Sequence, residues 1–408
     1  MRNRSLIAVT AALAAGALSL TACGSRDTGK ADDASGGGST VVTIGFDAPL
    51  TGELSALGLG MKNSVDLAVK RANKDKEVPG VTFKIEALDD QAQPSSGQQN
   101  ATKLVADKSV LGVVGPLNSS VAQSMQKVFD VAQLAEVSVN TNPALTQGDK
   151  WNTGEKVRPF KTYFRTATTD AIQGPFAAEY LYNTAKKKKV FVVDDKKTYG
   201  AGLAATFSAH FKKLGGAVVG TDHVNPDAKD FGSVATKIKN SGADVVYYGG
   251  EYPVAGPLSA QVKKAGAAIP LIGGDAIYSD EYLKLTGARG DGDMSTSVGA
   301  PVEDLPSAKK FIEDYKAAGY KEAYGAYGGF SYDSAWAIIQ AVKAVTKDGM
   351  LPSDARAKVT EALQKVSFDG VMGKVSFDEY GDATNKQLTV YKVAGGAWKA
   401  ETTGTFGG

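Results

Sequence analysis

Hydrophobic positions along this chain recur in two periods that alternate with each other. Val41-Val42-Thr43-Ile44-Gly45-Phe46 is a short, nearly unbroken apolar run and reads as a buried strand. Residues 55–74 then carry apolar side chains at helical spacing, through Leu57, Met61, Val65, Leu67, Ala68 and Ala72. Val81 to Leu88 is a strand, 96–107 a helix, Val110 to Val114 a strand and 120–133 a helix. The theme restarts at Val190-Phe191-Val192-Val193. A helix near 201–214, a strand near 217–223, a helix near 230–240 and a strand from Ala243 to Tyr248 follow. A helix near 254–265 and a strand at Leu271-Ile272 close this second run. Short apolar strands alternating with helices predict parallel sheets covered on both faces, and two such runs predict two doubly wound α/β lobes. Beyond them, 306–347 and 353–365 read as helices, and 374–378 and 387–393 as strands separated by the turn Glu379-Tyr380-Gly381-Asp382. Residues 144–159 show neither period and read as a surface excursion.

The first 40 residues do not belong to this pattern. Arg2 and Arg4 precede an uncharged stretch from Leu6 to Leu20, which ends in Leu20-Thr21-Ala22-Cys23. That order reads as a secretory signal over 1–22 with a lipoprotein-type cleavage site before Cys23, the only cysteine. The apolar run is too short, and too rich in alanine and glycine, for a comfortable membrane span. Residues 23–40 then form a lipidated cysteine and a flexible tether, because GSRDTGKADDASGGGST has no apolar period to bury. The expected location is the outer face of the cytoplasmic membrane, held there by the anchor at Cys23.

Charge narrows the partners. The chain has 46 Lys and Arg against 44 Asp and Glu, and loss of 1–22 removes only Arg2 and Arg4. A neutral remainder offers no general attraction to nucleic acid. With its one cysteine assigned to the anchor, the body has no intramolecular disulfide and is held by packing.

Signatures of catalysis are missing. There is no Walker-type loop, Gly58-Leu59-Gly60 lacks the third glycine of a dinucleotide fold, and no Gly-x-Ser-x-Gly elbow occurs. His210 and His223 do not pair at metal spacing and read as surface or packing residues. No enzyme activity, metal or cofactor is expected. Asp89-Asp90 and Asp194-Asp195 each follow a strand, where acidic residues either face a ligand crevice or serve the turn itself. Gly115-Pro116-Leu117-Asn118-Ser119-Ser120 leaves a strand and opens a helix. Hydroxyls and free N–H groups at that position suit a carboxylate or phosphate, although Asn118 or Ser119 can equally cap the helix. After the next strand, Asn140-Thr141-Asn142-Pro143 offers the Thr141 hydroxyl.

In order and spacing, these segments resemble the substrate-binding proteins of ATP-driven branched-chain amino acid importers, which have the type I periplasmic binding protein fold. The likeness runs from about Val41 to Val393. It is carried by Gly115 to Ser120, Thr141-Asn142-Pro143-Ala144-Leu145-Thr146, Phe164-Arg165-Thr166, Asp170 and Gln173-Gly174. Further on it is carried by Asp195 to Gly200, Val246-Tyr247-Tyr248-Gly249-Gly250 and Val371-Met372-Gly373 before Phe377-Asp378. The resemblance implies two lobes joined by three hinge crossings, near Thr166 to Asp170, Val298 to Pro301 and Lys374 to Asp378. Lobe one would be 41–167 with 300–375, and lobe two 168–299 with 376–404. It also implies leucine, isoleucine or valine in the cleft and delivery to permease and ATPase subunits by a monomeric receptor. The ligand carboxylate would meet Ser119, beside Asn118, and the Thr141 N–H. The ammonium would meet the Val139 carbonyl, the Thr141 hydroxyl and Asp275. Tyr199 would close over the ligand, and Leu57 and Tyr327 would line the side-chain pocket. Glu251 stands where relatives can have tyrosine, so either Glu251 or Tyr252 faces the cleft. An amide, urea or aromatic acid in the same cleft is the alternative ligand class, and an extracellular amino acid sensor the alternative role.

Overall fold

A computed structural model of the protein describes residues 39–406. The expected signal peptide 1–22, Cys23 and the tether as far as residue 38 lie outside the described residues. Among the described residues no helix is long and apolar enough to cross a membrane.

Five strands form the first sheet: β1 (Thr40–Ala48), β2 (Val81–Asp89), β3 (Val110–Val114), β4 (Ala135–Ser138) and β5 (Tyr163–Arg165). They lie in the order β2-β1-β3-β4-β5, and every neighbouring pair is parallel. The second sheet contains β6 (Lys189–Asp194), β7 (Ala217–His223), β8 (Val245–Gly249), β9 (Leu271–Gly273) and β10 (Met294–Val298). A hairpin, β11 (Ser367–Gly370) with β12 (Gly373–Ser376), stands apart. The chain then returns to the second sheet as β13 (Gln387–Ala394) and β14 (Ala397–Thr405). That sheet runs β14-β13-β10-β9-β8-β6-β7, with β13 antiparallel to β10 and β14 antiparallel to β13. The lobe that reads as parallel from its alternating pattern therefore has an antiparallel edge. β14 carries too few apolar residues to announce itself, since most of it is solvent-exposed.

The helices are α1 (Ser55–Lys74), α2 (Pro94–Ala106), α3 (Ser119–Val131), α4 (Ala144–Gln147), α5 (Asp170–Glu179) and α6 (Thr198–Lys213). They continue with α7 (Gly232–Asn240), α8 (Tyr252–Lys264), α9 (Asp280–Thr286), α10 (Lys309–Ala318), α11 (Gly328–Val345) and α12 (Ala355–Leu363). Both sheets are covered on two faces. On one face of the first sheet Val42, Ile44 and Phe46 join Met61, Val65, Ile338 and Ile339 of α1 and α11. On the other, Val110 and Val113 meet Leu104 of α2 and Val121, Met125 and Phe129 of α3. In the second sheet Val190, Val192 and Tyr247 pack on Leu203, Phe207 and Phe211 of α6. Phe191, Val193 and Val246 face Val234, Ile238, Leu258 and Val262 of α7 and α8.

Two sequence expectations need amendment. The helical stretch 306–347 is interrupted, because Gly319 takes a left-handed φ of 69° and ends α10, and the chain does not resume a helix until Gly328. Tyr327 sits at the end of that interruption. The supposed excursion 144–159 is only partly on the surface: Leu145, Thr146 and Gln147 are buried, Leu145 against Ala122 and Tyr163.

Candidate functional site

In an open α/β sheet, loops at the carboxyl ends of the strands part where the strand order reverses, and a crevice forms there. In the first sheet the reversal lies between β1 and β3. The loop after β1 leads into α1 and Leu57, and the loop after β3 leads to Asn118 and Ser119. In the second sheet it lies between β6 and β8. The loop after β6 leads to Lys197 and Tyr199, and the loop after β8 to Glu251. Leu57, Asn118, Ser119, Tyr199 and Glu251 from these loops, with Asp275 after β9 and Tyr327 before α11, border about 310 Å³ of empty space, part of it open to solvent. Leu57, Asn118, Ser119, Thr141, Tyr199, Glu251, Asp275 and Tyr327, all singled out from the sequence, line this one cavity. Leu117, Asn140 and Ala276 line it as well. Val139 is not among the lining residues; its side chain is buried in the core, whereas the contact expected of it was through its backbone carbonyl.

Ser119 is the first residue of α3, and Asn118 is its N-cap by position but makes no side-chain cap. The Ser119 hydroxyl, the Thr141 hydroxyl and the Asn118 Oδ1 are all buried with no hydrogen-bond partner among the described residues. Such groups are rare in folded proteins because each costs about 1–3 kcal/mol unmet. The loop that carries Thr141 is held from below by Arg165, which is wholly buried. Arg165 donates from Nη1 to the carbonyls of Asn140 (3.1 Å) and Asn142 (2.9 Å), and from Nε to Asp382 (2.6 Å).

Asp275 opens the short turn Asp275–Ile277. Its Oδ1 accepts from the Tyr199 hydroxyl (2.8 Å) and from Gln173 Nε2 (3.0 Å), and its Oδ2 accepts from the Tyr327 hydroxyl (2.8 Å). Tyr327 thus brings a polar contact as well as the apolar wall expected of it. A Cβ at position 274 would collide with Tyr199, so Gly274 permits this approach. Burial raises the Asp275 carboxyl above its usual range, and the bonds from Gln173, Tyr327 and Tyr199 oppose that rise. Nearby Asp170 is pushed up to about 8, first by burial and then by the charge of Asp275.

Glu251, rather than Tyr252, lines the cavity. Its Oε1 accepts from Asn118 Nδ2 (2.7 Å) and its Oε2 from Lys197 Nζ (3.0 Å). Tyr252 is buried in the core away from this cavity and donates its hydroxyl to the Glu53 carbonyl. Asp195, beneath this pair, is pushed up to about 7 by burial and by Glu251. Sequence reasoning assigned no role to Lys197 or Gln173, although both fall in segments that carried the resemblance.

The remaining candidates take structural duties. Asp89 accepts from the Gln91 N–H (3.0 Å) and Asp90 from the Ala92 N–H (2.7 Å), while Asp89 also accepts from the Leu50 N–H (2.9 Å), so the pair serves its own turn and ties it to the loop after β1. Asp194 pairs with His223 (2.8 Å), and His210 with Glu179 (3.2 Å). Among the described residues no group of histidine, cysteine and acidic side chains could hold a metal ion.

A family described as periplasmic binding protein matches residues 41–397. A Leu/Ile/Val-binding protein homolog of Brucella melitensis is 32% identical over 359 residues, covering 87% of this chain and 91% of the relative. Among solved structures, a leucine-binding protein of Thermotoga maritima superposes with a TM-score of 0.78 at 25% identity, covering 89% of this chain and 98% of that one. A solute-binding protein of an R. palustris ABC transporter, solved with 4-hydroxybenzoate, shares the fold with a TM-score of 0.77 at 21% identity, covering 90% and 97%. The chain belongs to the periplasmic binding protein family, the two-lobed extracytoplasmic receptors that present substrates to ABC importers.

Proposed function

We propose that the protein captures leucine, isoleucine or valine between its lobes and delivers them to the permease of an ABC importer. One observation carries this reading. The unpartnered hydroxyls of Ser119 and Thr141 line the same cavity as the Asp275 carboxylate. A zwitterion needs donors at one end and a carboxylate at the other, since each buried charge must replace the water it loses. Leu57, Leu117, Ala276 and the ring of Tyr327 leave an apolar wall for an aliphatic side chain. Each methylene buried there contributes about 0.8 kcal/mol, so the three branched amino acids differ only modestly in affinity. The names of the relatives support the same ligand class. Calorimetry of residues 24–408 against the twenty amino acids tests it. Binding of leucine, isoleucine and valine is expected, and no heat from any of them overturns the reading.

A second reading has its own support. Glu251 and the free Asn118 Oδ1 are acceptors in the cavity wall, and acceptors suit a ligand bearing N–H groups, such as a short amide or urea. Acetamide and urea titrated alongside leucine separate the two.

The lobes are proposed as 41–167 with 300–375 and 168–299 with 376–404, closing by a hinge motion around the ligand. Cys23 is proposed as the lipid anchor. Cys23→Ser should then appear in the medium or stay unprocessed, whereas a processed and fully membrane-bound variant contradicts an anchor at this residue. The receptor role needs no catalysis, and a monomer suffices for it.

A further inference from the structure

We infer that Gln173 is a positioning residue for ligand recognition: its carboxamide fixes the carboxylate that meets the ligand ammonium and ties it to the hinge that carries the other half of the site. This inference rests on the amino acid reading above.

Gln173 is wholly buried in the first turn of α5, and it grips Asp275 at two points. Gln173 Nε2 donates to Asp275 Oδ1 at 3.0 Å, and Gln173 Oε1 accepts from the Asp275 backbone N–H at 3.0 Å. The same Oε1 accepts from the Thr296 hydroxyl of β10 at 3.0 Å. The second proton of Nε2 goes to Asp170 Oδ1 at 3.0 Å. Asp170 in turn donates its backbone N–H to the Thr141 carbonyl at 2.9 Å. One side chain therefore joins Asp275, on the second sheet's side, through Asp170 to the loop that presents the Thr141 hydroxyl, on the first sheet's side. Asp170 lies where the chain leaves β5 for α5, which is the first passage between the sheets.

Sequence makes this reach possible. Residue 174 is glycine, and a Cβ there would collide with the Thr206 side chain and come within 2.7 Å of the Phe207 N–H. Gly174 lets α5 lie close on α6, which sets Gln173 at the depth of Asp275. A carboxamide is also the group the position requires. Nε2 must face two carboxylates while Oε1 faces an N–H and a hydroxyl, and neither an acid nor an amine offers both roles. Asp275 Oδ1 then carries two donors and Oδ2 carries one, so Oδ2 keeps a lone pair for a ligand. Gln173 touches no lining surface itself. It acts by holding Asp275 in one orientation.

The test separates positioning from mere packing by asking for the amino group. Leucine and its 2-hydroxy analogue differ only in ammonium against hydroxyl. Both are titrated by calorimetry into the wild type, Gln173→Leu and Gln173→Glu. Gln173→Leu conserves bulk and deletes every polar contact. Gln173→Glu keeps the acceptor and puts a third acid beside Asp170 and Asp275, so it checks the result if the leucine variant fails to fold. In each folded variant the preference for leucine over the hydroxy acid should fall by about 10-fold or more, while hydroxy acid binding changes by less than about 3-fold. Equal losses for both ligands, or an unchanged preference, overturn the inference. A wild type that binds no leucine overturns instead the amino acid reading on which it rests.

Discussion

Glu251 and Asn118 meet across the cleft, the amide Nδ2 of one donating to Oε1 of the other at 2.7 Å. The two residues come from the loops after β8 and β3, that is, from different sheets, and Lys197 neutralises the same carboxylate at 3.0 Å. The contact therefore spans the closed cleft and brings a charge to the wall of an otherwise apolar side-chain region.

Replacing Glu251 tests what that contact contributes. Glu251→Leu leaves the Lys197 ammonium and the Asn118 amide without their acceptor. Because Lys197 is partly exposed, the loss should stop at about 1–3 kcal/mol, below the cost of orphaning a fully buried charge. Urea unfolding of the ligand-free variant should give a lower midpoint with an unchanged slope. A midpoint equal to the wild type would mean that the pair contributes nothing to the closed form.

Asp275→Asn conserves shape and deletes the charge opposite the proposed ammonium. Leucine binding should weaken by about 30-fold or more, roughly 2 kcal/mol. The fold should survive, since Asn keeps an oxygen for Tyr199 or Tyr327. An unchanged calorimetric titration would remove Asp275 from the recognition of the ligand.

Buried acids also set the response to pH. Burial pushes Asp170 up to about 8, Asp195 and Asp333 to about 7, and Asp90 to about 6. Each folded-state value lies above that of the unfolded chain, where these carboxyls ionise near 3.8. The native state therefore binds more protons between the two values, and stability declines as pH rises through that window, from about 4 to about 8. Asp382 acts in the opposite sense, because Arg165 holds it below its usual range against its burial. Its contribution is lost only as pH falls toward strong acid. The melting temperature of the ligand-free protein should be higher at about pH 5.5 than at about pH 8.5, and Asp170→Asn should flatten that difference. A melting temperature that climbs from 5.5 to 8.5 contradicts the argument.

How much of this was legible in the chain depends on distance along it. The strands ending at Val114, Val193, Tyr248 and Ile272 announce themselves as apolar runs. Of the residues just past them, Asn118 follows as a loop residue at a carboxyl end, whereas Tyr199, Glu251 and Asp275 came from the resemblance. The partner of a side chain is another matter. Gln173 and Asp275 are 102 positions apart, and no periodicity connects them. The same holds for Arg165 and Asp382, at 217 positions. The break before Tyr327 was hidden because apolar spacing continues through 306–347, whereas Gly319 ends the helix by backbone conformation; Tyr327 itself came from the resemblance. β14 was hidden because an edge strand with most of its surface in water needs no apolar run.

Ligand class is the widest claim, and heat denaturation tests it most directly. A ligand that binds only the folded protein raises its melting point in proportion to the logarithm of its concentration over Kd. Leucine, isoleucine and valine should each do so on the proposed assignment, in which Ser119, Thr141 and Asp275 meet the head group and Leu57 and Leu117 the side chain. Glucose should not, since its hydroxyls outnumber the free partners in the wall. Glutamate should not, because its second carboxylate would lie against Glu251. Lysine is the sharper comparison. The Glu251 carboxylate is already shared between Lys197 and Asn118, so a second ammonium would have to displace one of them, and lysine should give no shift at the concentration where leucine does. Stabilisation by lysine alone would mean that Glu251 exchanges Lys197 for the ligand and that the pocket selects cationic side chains, with the fold and the head-group contacts unchanged.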